Sequence, residues 1–266
     1  MTDLARAVSE VQWFHTIELP NGIVTPGLFD TRETAKRIPL PESLAGMRCL
    51  DVGTADGFWA FEMERRGAAE VVAIDIVDPA KRDVTVGAAP GDAPGSDGSF
   101  RQARAFEIAH AALNSRVDMR PMSVYDLDPD VVGKFDFVFM GNILVHLRDP
   151  VLALMKVQSV TAGRLMTAEA VSRSLSLWHP RMPAARLTGL TRSNWWHPNV
   201  ACLHQFLRAA GFEIEKAGKI LYVDRRKDRP PLRQVLRHPF FTAMLYLGGV
   251  PETWVISRPK ASDAKS

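Results

Sequence analysis

Short apolar runs alternate with longer amphipathic segments through the middle of this 266-residue chain. The run at 71–74 is continuous and the run at 135–140 is interrupted only by Asp136, which is typical of strands buried on both faces of a sheet. We interpret the segments between such runs as helices. The predicted strands of this core lie at 48–52, 70–76, 117–122, 135–140 and 164–170, and its predicted helices lie at 58–66, 100–113 and 151–160.

The pattern changes on either side of this core. Residues 1–46 form an N-terminal extension, in which Asn21-Gly22 predicts the turn of a hairpin over 17–25. After the fifth strand, residues 171–199 and 224–251 break the alternation with Pro, Trp, His and basic residues. The other predicted elements are helices at 31–37, 200–210 and 240–247, strands at 212–223 and 253–257, and a disordered tail at 259–266.

Strands that alternate with helices predict an α/β, Rossmann-like fold with a seven-stranded, mostly parallel sheet and helices on both faces. We place the main domain at 47–258 and expect the extension and the insertions at 171–199 and 224–251 to form a cap over it. The segment 79–99 is rich in Gly, Pro, Asp and Ala and is predicted to be a mobile loop. Ligands of such sheets bind beyond the carboxyl ends of the strands, where the strand order reverses.

The most informative motif is a glycine turn, Gly53-Thr54-Ala55-Asp56-Gly57, which follows the first strand, with Asp75 at the end of the second. Asp75 can accept hydrogen bonds from both hydroxyls of a ribose, and glycines let the backbone approach a ligand closely. The turn is neither the dinucleotide fingerprint G-x-G-x-x-G nor a P-loop with its Lys-Ser/Thr. A pocket that binds ribose without cradling phosphate suits S-adenosylmethionine.

Further candidate cofactor contacts follow the other strands. Ser123 and Val124 lie where an adenine edge is expected, and the backbone carbonyls of Gly141 and Asn142 could hold the methionine amine. Asp51 orders the turn or meets that amine through water. The predicted cofactor-binding residues are Asp51, Gly53, Thr54, Gly57, Asp75, Ile76, Ser123, Val124, Gly141 and Asn142.

For catalysis the first candidate is His146, which follows the fourth strand and could deprotonate an acceptor hydroxyl. His15, His197 and Glu169 are competing bases, and a backbone-bonded structural histidine is the alternative interpretation of His146. The predicted substrate-binding residues are His15, Trp195, Trp196 and His197. The two indoles could stack on a planar or sugar acceptor or belong to the core of the cap. We find no pattern that demands a metal.

Composition limits the function classes. Apolar residues make up 46% of the chain and the net charge is +3, which supports a full core and gives only weak support for a nucleic-acid partner. Two distant cysteines, no signal peptide and no membrane-spanning run predict a soluble, cytoplasmic protein. The basic run at 225–237 could attract RNA phosphates, but we favour a solvated connector. The composition allows a homo-oligomer without indicating one.

Together these segments resemble the class I methyltransferases, and within them the branch of the tRNA wobble-uridine 5-oxyacetic acid (carboxymethoxyuridine) synthase. The glycine turn and Asp75 are shared by the whole superfamily, whereas the strand-four loop and the stretch 194–212 narrow the branch. The segments that carry the resemblance are 50–53, 73–75, 135–141, 146–150 and 194–212. The resemblance implies a methyltransferase fold, S-adenosylmethionine as cofactor and methyl transfer.

The chain departs from that branch where the cofactor's extra carboxylate is recognised. Members of the branch use carboxy-S-adenosylmethionine and hold its carboxylate with a lysine, a tyrosine and an arginine. Here the tyrosine is Val145, the arginine position aligns with Glu252, and residues 11–27 offer His15 as their only basic residue. Loss of these charge-assisted bonds, typically ~1.5–3 kcal/mol each, predicts plain S-adenosylmethionine.

The leading hypothesis is methyl transfer to an oxygen, or less favourably a nitrogen or carbon, of a small molecule. The second is modification of a tRNA wobble uridine, supported independently by the basic run at 225–237. The third is a non-catalytic protein that binds S-adenosylmethionine. The acceptor, the methylated atom and the oligomeric state do not follow from the sequence.

Overall fold

The predicted alternation of strands and helices is present in a computed structural model of the chain, which describes residues 2–78, 81–83, 102–188, 194–223 and 250–261. The strands are β1 Arg48–Val52, β2 Glu70–Asp75, β3 Asp118–Pro121, β4 Phe135–Gly141, β5 Thr161–Ala170, β6 Ala185–Leu187, β7 Trp196–Pro198, β8 Phe212–Ala217, β9 Leu221–Val223 and β10 Val250–Pro259. The helices are α1 Asp3–Ser9, α2 Thr31–Arg37, α3 Phe58–Arg65, α4 Gln102–Leu113, α5 Pro129–Val132, α6 Pro150–Val160, α7 Arg173–Trp178 and α8 Val200–Ala209.

The main sheet runs in the order β3-β2-β1-β4-β5-β10-β8, and β9 pairs with β10 beside this path. Strands β1 to β5 are parallel, whereas β10 is antiparallel to both β5 and β8. The seven-stranded, mostly parallel sheet of a Rossmann-like fold is therefore confirmed. The order reverses between β1 and β4, so the carboxyl ends of these two strands flank the expected ligand crevice.

Side chains of the sheet supply two apolar layers, one on each face. One layer joins the N-terminal extension, α3 and α4 to the sheet, and the other joins α6 and α8 to its opposite face. β1 contributes to both, because Cys49 faces the first layer while Leu50 and Val52 face the second. Burial on both faces explains why apolar residues stand at the successive positions 49 and 50 of this strand.

Polar residues at helix starts set where several helices begin. The Asp149 side chain accepts from the backbone N–H of Leu152 ahead of Pro150, and the Asn199 side chain accepts from that of Cys202. Thr2, Asp128 and Ser172 cap their helices in the same way. Each cap satisfies a backbone donor that the helix itself leaves unpaired.

Several predicted boundaries differ from the structure. The strand predicted at 212–223 is split into β8 and β9, and Gly218 between them packs so closely on Trp254 that no Cβ would fit. The predicted hairpin at 17–25 is reduced to one antiparallel bridge, Glu18 with Val24, around a 3-10 turn. Pro259, assigned to a disordered tail, lies in β10 and pairs with Phe212. The insertion 171–199 contains α7 and the two-stranded sheet β6–β7.

Several predictions lie outside the described residues. They are the helix at 240–247, the basic run at 225–237, most of the loop at 79–99 and the end of the tail at 262–266. Within the part of the chain that the structure describes, no helix is long and apolar enough to cross a membrane.

Asn199 ties the cap insertion to the main domain, and its loss is expected to destabilise both. It is fully buried; its Oδ1 accepts from Cys202 N and Ala184 N, and its Nδ2 donates to the carbonyls of His179 and Met182. Asn199→Ala removes all four of these hydrogen bonds and leaves the buried Cys202 N–H unpaired, so we expect it to lower the free energy of unfolding by about 2–4 kcal/mol.

The control is Asp128→Ala, which removes only the cap of the short helix α5 and should cost about 1 kcal/mol. Urea unfolding monitored by circular dichroism measures both variants. Equal losses in the two would show that the bonds from Asn199 to the insertion contribute nothing.

Candidate active site

The glycine turn between β1 and α3 is held by the neighbouring strand. The backbone N–H groups of Gly53 and Thr54 both donate to the Ile74 carbonyl, at 2.9 and 3.1 Å. Gly53, Ala55 and Gly57 all have positive φ, at 77°, 54° and 94°. These bonds fix the turn at the carboxyl end of β1, where the sheet order reverses.

The space beside the two glycines is filled by the protein's own side chains. A Cβ on Gly53 would lie 2.7 Å from Cδ1 of Ile143, and one on Gly57 would lie 2.8 Å from Cδ2 of Phe106 and closer still to Phe61. Internal packing therefore already accounts for the absence of a Cβ at both glycines. They are required by positive φ and by internal packing, and their contact with a cofactor stays a prediction.

Asp75 closes the turn from β2. Its Oδ2 accepts from the backbone N–H of Ala55 and its Oδ1 from that of Ile76, both at 2.7 Å. Burial raises the pKa of Asp75, against the opposing effect of these two N–H groups. Each carboxylate oxygen can accept a second hydrogen bond, so the side chain remains able to receive both hydroxyls of a ribose.

Two buried polar atoms of the turn lack partners. Among the described residues, Oδ2 of Asp51 and Oγ1 of Thr54 have no hydrogen-bond partner, although both side chains are inaccessible to solvent. Burial raises the pKa of Asp51 to about 7, against the interaction of its carboxyl with the neighbouring Thr54 hydroxyl and the charge of His15. The Asp51 and Thr54 side chains are thus neighbours, although their oxygens do not meet in hydrogen-bond geometry. A cationic group with several donors, such as the ammonium of a methionine tail, would satisfy both atoms. The turn therefore fits S-adenosylmethionine.

The loop after β4 is fastened by buried carboxyls. Asn142 donates from Nδ2 to Glu252 on β10 and accepts the backbone N–H of Ala170 at Oδ1. Glu169 on β5 accepts from the backbone N–H groups of Ile143 and Leu144, at 3.3 and 3.2 Å. The side chain of Asn142 is thus used structurally, and its predicted cofactor contact rests on the backbone.

These bonds also decide the role of Glu169, one of the competing bases. Its side chain is buried and both oxygens hold the loop in place, so it acts as a brace. Burial raises its pKa well above the ordinary value, and the nearby Glu252 carboxyl adds to the effect. Burial likewise raises the pKa of Glu252 to about 7, against the hydrogen bond from Asn142.

The residues that follow β3 are engaged within the fold. Oγ of Ser123 accepts from Tyr125 N at 3.3 Å, and Val124 belongs to the apolar layer beneath the sheet. The Tyr125 hydroxyl donates to Asp83 and accepts from Asp149 N. Tyr125 therefore has a structural role, while the adenine contact of Ser123 and Val124 stays a prediction.

The structure brings the predicted substrate residues of the cap to the loop after β4. Trp195 donates its backbone N–H to Val145 and its indole N–H to the Asp83 carbonyl, and Trp196 donates its indole N–H to the Arg148 carbonyl. His197 pairs with Arg186 across the small sheet. Burial lowers the pKa of His197, and the charges of Arg186 and His146 lower it further, so these two imidazoles are neighbours.

His15 lies at a different place, against the glycine turn. Its backbone N–H and that of Phe14 both donate to Oδ2 of Asp56 at 2.8 Å, and its Nδ1 pairs with Oδ1 of the same carboxylate. Sequence reasoning did not assign a role to Asp56. The only available signal was an acid placed between the two glycines of the turn, because its partner lies 41 residues earlier.

Phe58 and Trp59, which directly follow the turn, are both buried. The Trp59 ring packs on Phe139 of β4, with 4.4 Å between centroids. Among the described residues, no group of three or more His, Cys, Asp or Glu side chains could hold a metal ion.

The sequence profile of the family described as "Methyltransferase domain" matches residues 30–217 of this chain. That range includes the glycine turn, Asp75 and the loop after β4, and it covers well over half of the chain. The chain belongs to the S-adenosylmethionine-dependent methyltransferases. Its cofactor is therefore S-adenosylmethionine, and the chemistry that this cofactor supplies is an electrophilic methyl group on a sulfonium.

Comparison with known proteins supports the resemblance at a distance. This methyltransferase is 27% identical over 170 residues to the tRNA U34 carboxymethyltransferase of Methylococcus capsulatus, which covers 64% of the chain and 45% of that protein. The chain thus spans about half the length of the curated relatives that it matches.

Solved structures share the fold. The N-terminal domain of EvdMO1, determined in the presence of S-adenosylhomocysteine and D-fucose, aligns with a TM-score of 0.56 and 18% identity over 98% of both chains. The [4+2]-cyclase SpnF aligns with a TM-score of 0.55 and 17% identity over 97% of this chain and 93% of its own. At such identities the likeness shows the fold alone, and the fold hosts more than one reaction.

Glu252 is expected to make the stability of this methyltransferase fall as the pH rises. Its pKa is about 7 in the folded protein against an ordinary 4.5, so between these values the folded state binds a proton that the unfolded state has lost. Unfolding therefore becomes easier with rising pH, by up to about 3 kcal/mol from this group. Glu252→Gln, which keeps the acceptor for Asn142, should remove that part of the decline.

The matched control is Glu70→Gln. The hydrogen bond from Arg48 lowers the pKa of Glu70, so that variant should lose stability at neutral pH instead of gaining it. Denaturant midpoints at pH 4.5, 6 and 8 measure the difference. A gap between wild type and Glu252→Gln that is the same at all three pH values would contradict the assignment.

Proposed function

We propose that this methyltransferase transfers the methyl group of plain S-adenosylmethionine to an oxygen of a small-molecule acceptor; nitrogen and carbon are less favoured. The observation that carries the proposal is the pair of partnerless buried oxygens, on Asp51 and Thr54, beside the ribose-binding geometry of Asp75. These groups suit a cofactor with an ammonium and a ribose diol and without a phosphate.

In this proposal the cofactor lies across the carboxyl ends of β1, β2 and β4. Asp75 receives the ribose hydroxyls with Ile76 beside it, and Asp51 and Thr54 receive the ammonium. The backbone at Gly53, Gly57, Gly141 and Asn142 lines the methionine tail, and Ser123 and Val124 line the adenine. Catalysis then depends mainly on alignment of the acceptor and exclusion of water.

A small acceptor is favoured by what surrounds this edge of the sheet. The N-terminal extension is fastened to the glycine turn through Asp56, and the cap is fastened to the loop after β4 through Trp195 and Trp196. Aromatic rings of both segments, together with His15, His146 and His197, supply apolar walls with a few polar groups. That composition is typical of small-molecule sites. Oxygen is favoured because imidazoles suit removal of a hydroxyl proton.

A tRNA acceptor is the second candidate, and it rests on the relatives named as tRNA U34 carboxymethyltransferases. The chain spans less than half the length of those proteins, so their activity does not carry over directly. The basic run that would favour RNA, 225–237, lies outside the described residues. We rank this candidate below the small molecule.

An acceptor screen tests the proposal. Purified protein, S-adenosylmethionine and pools of phenols, catechols, hydroxylated heterocycles and sugars are incubated, and S-adenosylhomocysteine release is measured by mass spectrometry. We expect release with a hydroxyl-bearing acceptor. A parallel incubation uses transcribed, unmodified tRNA, and release there alone would replace the small molecule by tRNA.

The control variants of that screen are Asp75→Asn and Asp130→Asn. The first removes the charge that would receive the ribose, so we expect at least about tenfold weaker S-adenosylmethionine binding by calorimetry. The second makes the same change on the exposed surface of α5 and should bind normally. Equal affinity in both variants would contradict the proposed site.

The choice of plain over carboxylated cofactor is a separate prediction. Val145 is apolar, and Glu252 is a buried carboxyl that bonds Asn142, so neither offers a cation to an extra carboxylate. At pH 8 we expect S-adenosylmethionine to bind at least about tenfold more tightly than carboxy-S-adenosylmethionine in competition calorimetry. Glu252→Gln should narrow that gap. Tighter binding of the carboxylated form would overturn the prediction.

A further inference from the structure

We propose that His15, oriented by Asp56, is the general base that takes the acceptor's proton, and that the acceptor therefore carries a hydroxyl that is protonated at the working pH, such as a phenol. This inference rests on the proposed function and assigns one residue within it. It replaces His146 as the first candidate.

The carboxylate of Asp56 is fixed from three directions. Its Oδ2 accepts the backbone N–H groups of Phe14 and His15, each at 2.8 Å, and its Oδ1 pairs with Nδ1 of the His15 imidazole. The Asp56 side chain is 1% exposed and that of His15 is 7% exposed. A carboxylate so immobilised holds the imidazole in one orientation.

The pairing also fixes the tautomer. An ionised carboxylate can only accept, so Nδ1 carries the proton and donates it to Asp56. In the neutral ring, Nε2 then holds the lone pair, and among the described residues it has no hydrogen-bond partner. This is the arrangement in which an acid orients a histidine base and stabilises the imidazolium that forms.

The backbone of His15 is also held in place. Its carbonyl accepts from Oγ1 of Thr25 at 2.9 Å, and Gly27 packs against it so closely that a Cβ there would collide. The rings of Phe14 and Phe58 flank the imidazole, with centroids 4.8 and 5.6 Å away. The base is thus held on the N-terminal extension without freedom to swing away.

His15 also lies at the correct end of the sheet. Its charge acts on Asp51, and its partner Asp56 belongs to the glycine turn itself. Asp51 and Asp56 are the acidic groups that face it from the described elements. His15 therefore stands beside the expected position of the cofactor's amino-acid tail.

The competing groups are less suited to accept a proton. Both oxygens of Glu169 hold backbone N–H groups of the loop after β4. His197 lies beside Arg186 and His146, whose positive charges disfavour a second cation there. His15, by contrast, has a buried carboxylate, that of Asp56, paired with its Nδ1.

The reaction step balances with this base. The acceptor oxygen loses its proton to Nε2 of His15 and forms a bond to the methyl carbon. The bond from that carbon to the sulfonium breaks, and its electron pair stays on sulfur. The products are a methyl ether, S-adenosylhomocysteine and a His15 imidazolium paired with Asp56, which returns its proton to solvent.

The test combines a spectroscopic readout with kinetics on His15→Gln and Asp56→Asn. Asn at 56 keeps an acceptor for the backbone but can donate to Nδ1, which moves the ring proton to Nε2. Long-range ¹H–¹⁵N spectra of histidine-labelled protein report the tautomer, and the signal is assigned by its absence in His15→Gln. We expect the Nδ1–H form in wild type and the Nε2–H form in Asp56→Asn.

Kinetics use the acceptor found in the screen, between pH 6 and 9.5. Both variants should lose at least about 100-fold in kcat/KM near pH 7 and regain activity at high pH, where the acceptor hydroxyl ionises without help. A purely structural role would lower the rate equally at all pH values. His179→Gln, the same change at an exposed histidine, should behave as wild type.

The outcomes separate this inference from the proposed function. Wild-type turnover with variants that lose less than threefold, or whose loss is independent of pH, overturns the role of His15 and leaves methyl transfer intact. An Nε2–H tautomer in wild type overturns it as well, without any acceptor. Absence of S-adenosylmethionine binding in wild type would instead overturn the proposed function. Calorimetry on the variants confirms that the cofactor site has survived the substitutions.

Discussion

The hydrogen bond from the Ala55 backbone N–H to the Asp75 carboxylate is the constraint on which the site depends. It joins the turn after β1 to the end of β2 and holds Ala55 at a positive φ of 54°. A non-glycine residue adopts that conformation only when its surroundings enforce it. With the turn so fixed, the unpaired oxygens of Asp51 and Thr54 are held in place. The carboxylate that would grip a ribose therefore also shapes the loop beside it.

Four buried carboxyl groups lie close to this turn or to the loop after β4. Burial raises the pKa of Asp51, Asp75, Glu169 and Glu252, all near the edge of the sheet where the parallel strands end. Without a cation each group favours its neutral form, and a positively charged ligand shifts that balance towards the carboxylate. Because linkage is reciprocal, ionisation of these acids favours the cationic cofactor to the same degree. The four acids differ in their partners: Glu169 and Glu252 brace the loop after β4, whereas one oxygen of Asp51 remains unsatisfied.

The parts of the fold that could be predicted are those whose cause is local. Strands β2 and β4 carry apolar side chains on both faces, and Asp149 with Pro150 marks the start of α6, so short windows of sequence suffice. The close packing of Gly218, between β8 and β9, on Trp254 could not be predicted, because it joins residues that lie far apart along the chain. For the same reason the glycines were assigned to a ligand, whereas Phe61 and Ile143 occupy the space beside them.

The residues of the candidate site also differ in whether their role depends on local sequence or on distant partners. Asp75 could be predicted as a site residue because it lies at the end of a strand. The pairing of His15 with Asp56 could not be predicted, because it joins residues 41 positions apart and leaves no periodic signal in the sequence. That pairing fastens the N-terminal extension to the glycine turn. The carboxylate that fastens residues 14 and 15 belongs to the turn expected to border the cofactor, so the extension cannot move without releasing a group of the turn. In the proposed site, acceptor and cofactor are therefore coupled through this one side chain, and the extension belongs to that site rather than only covering it.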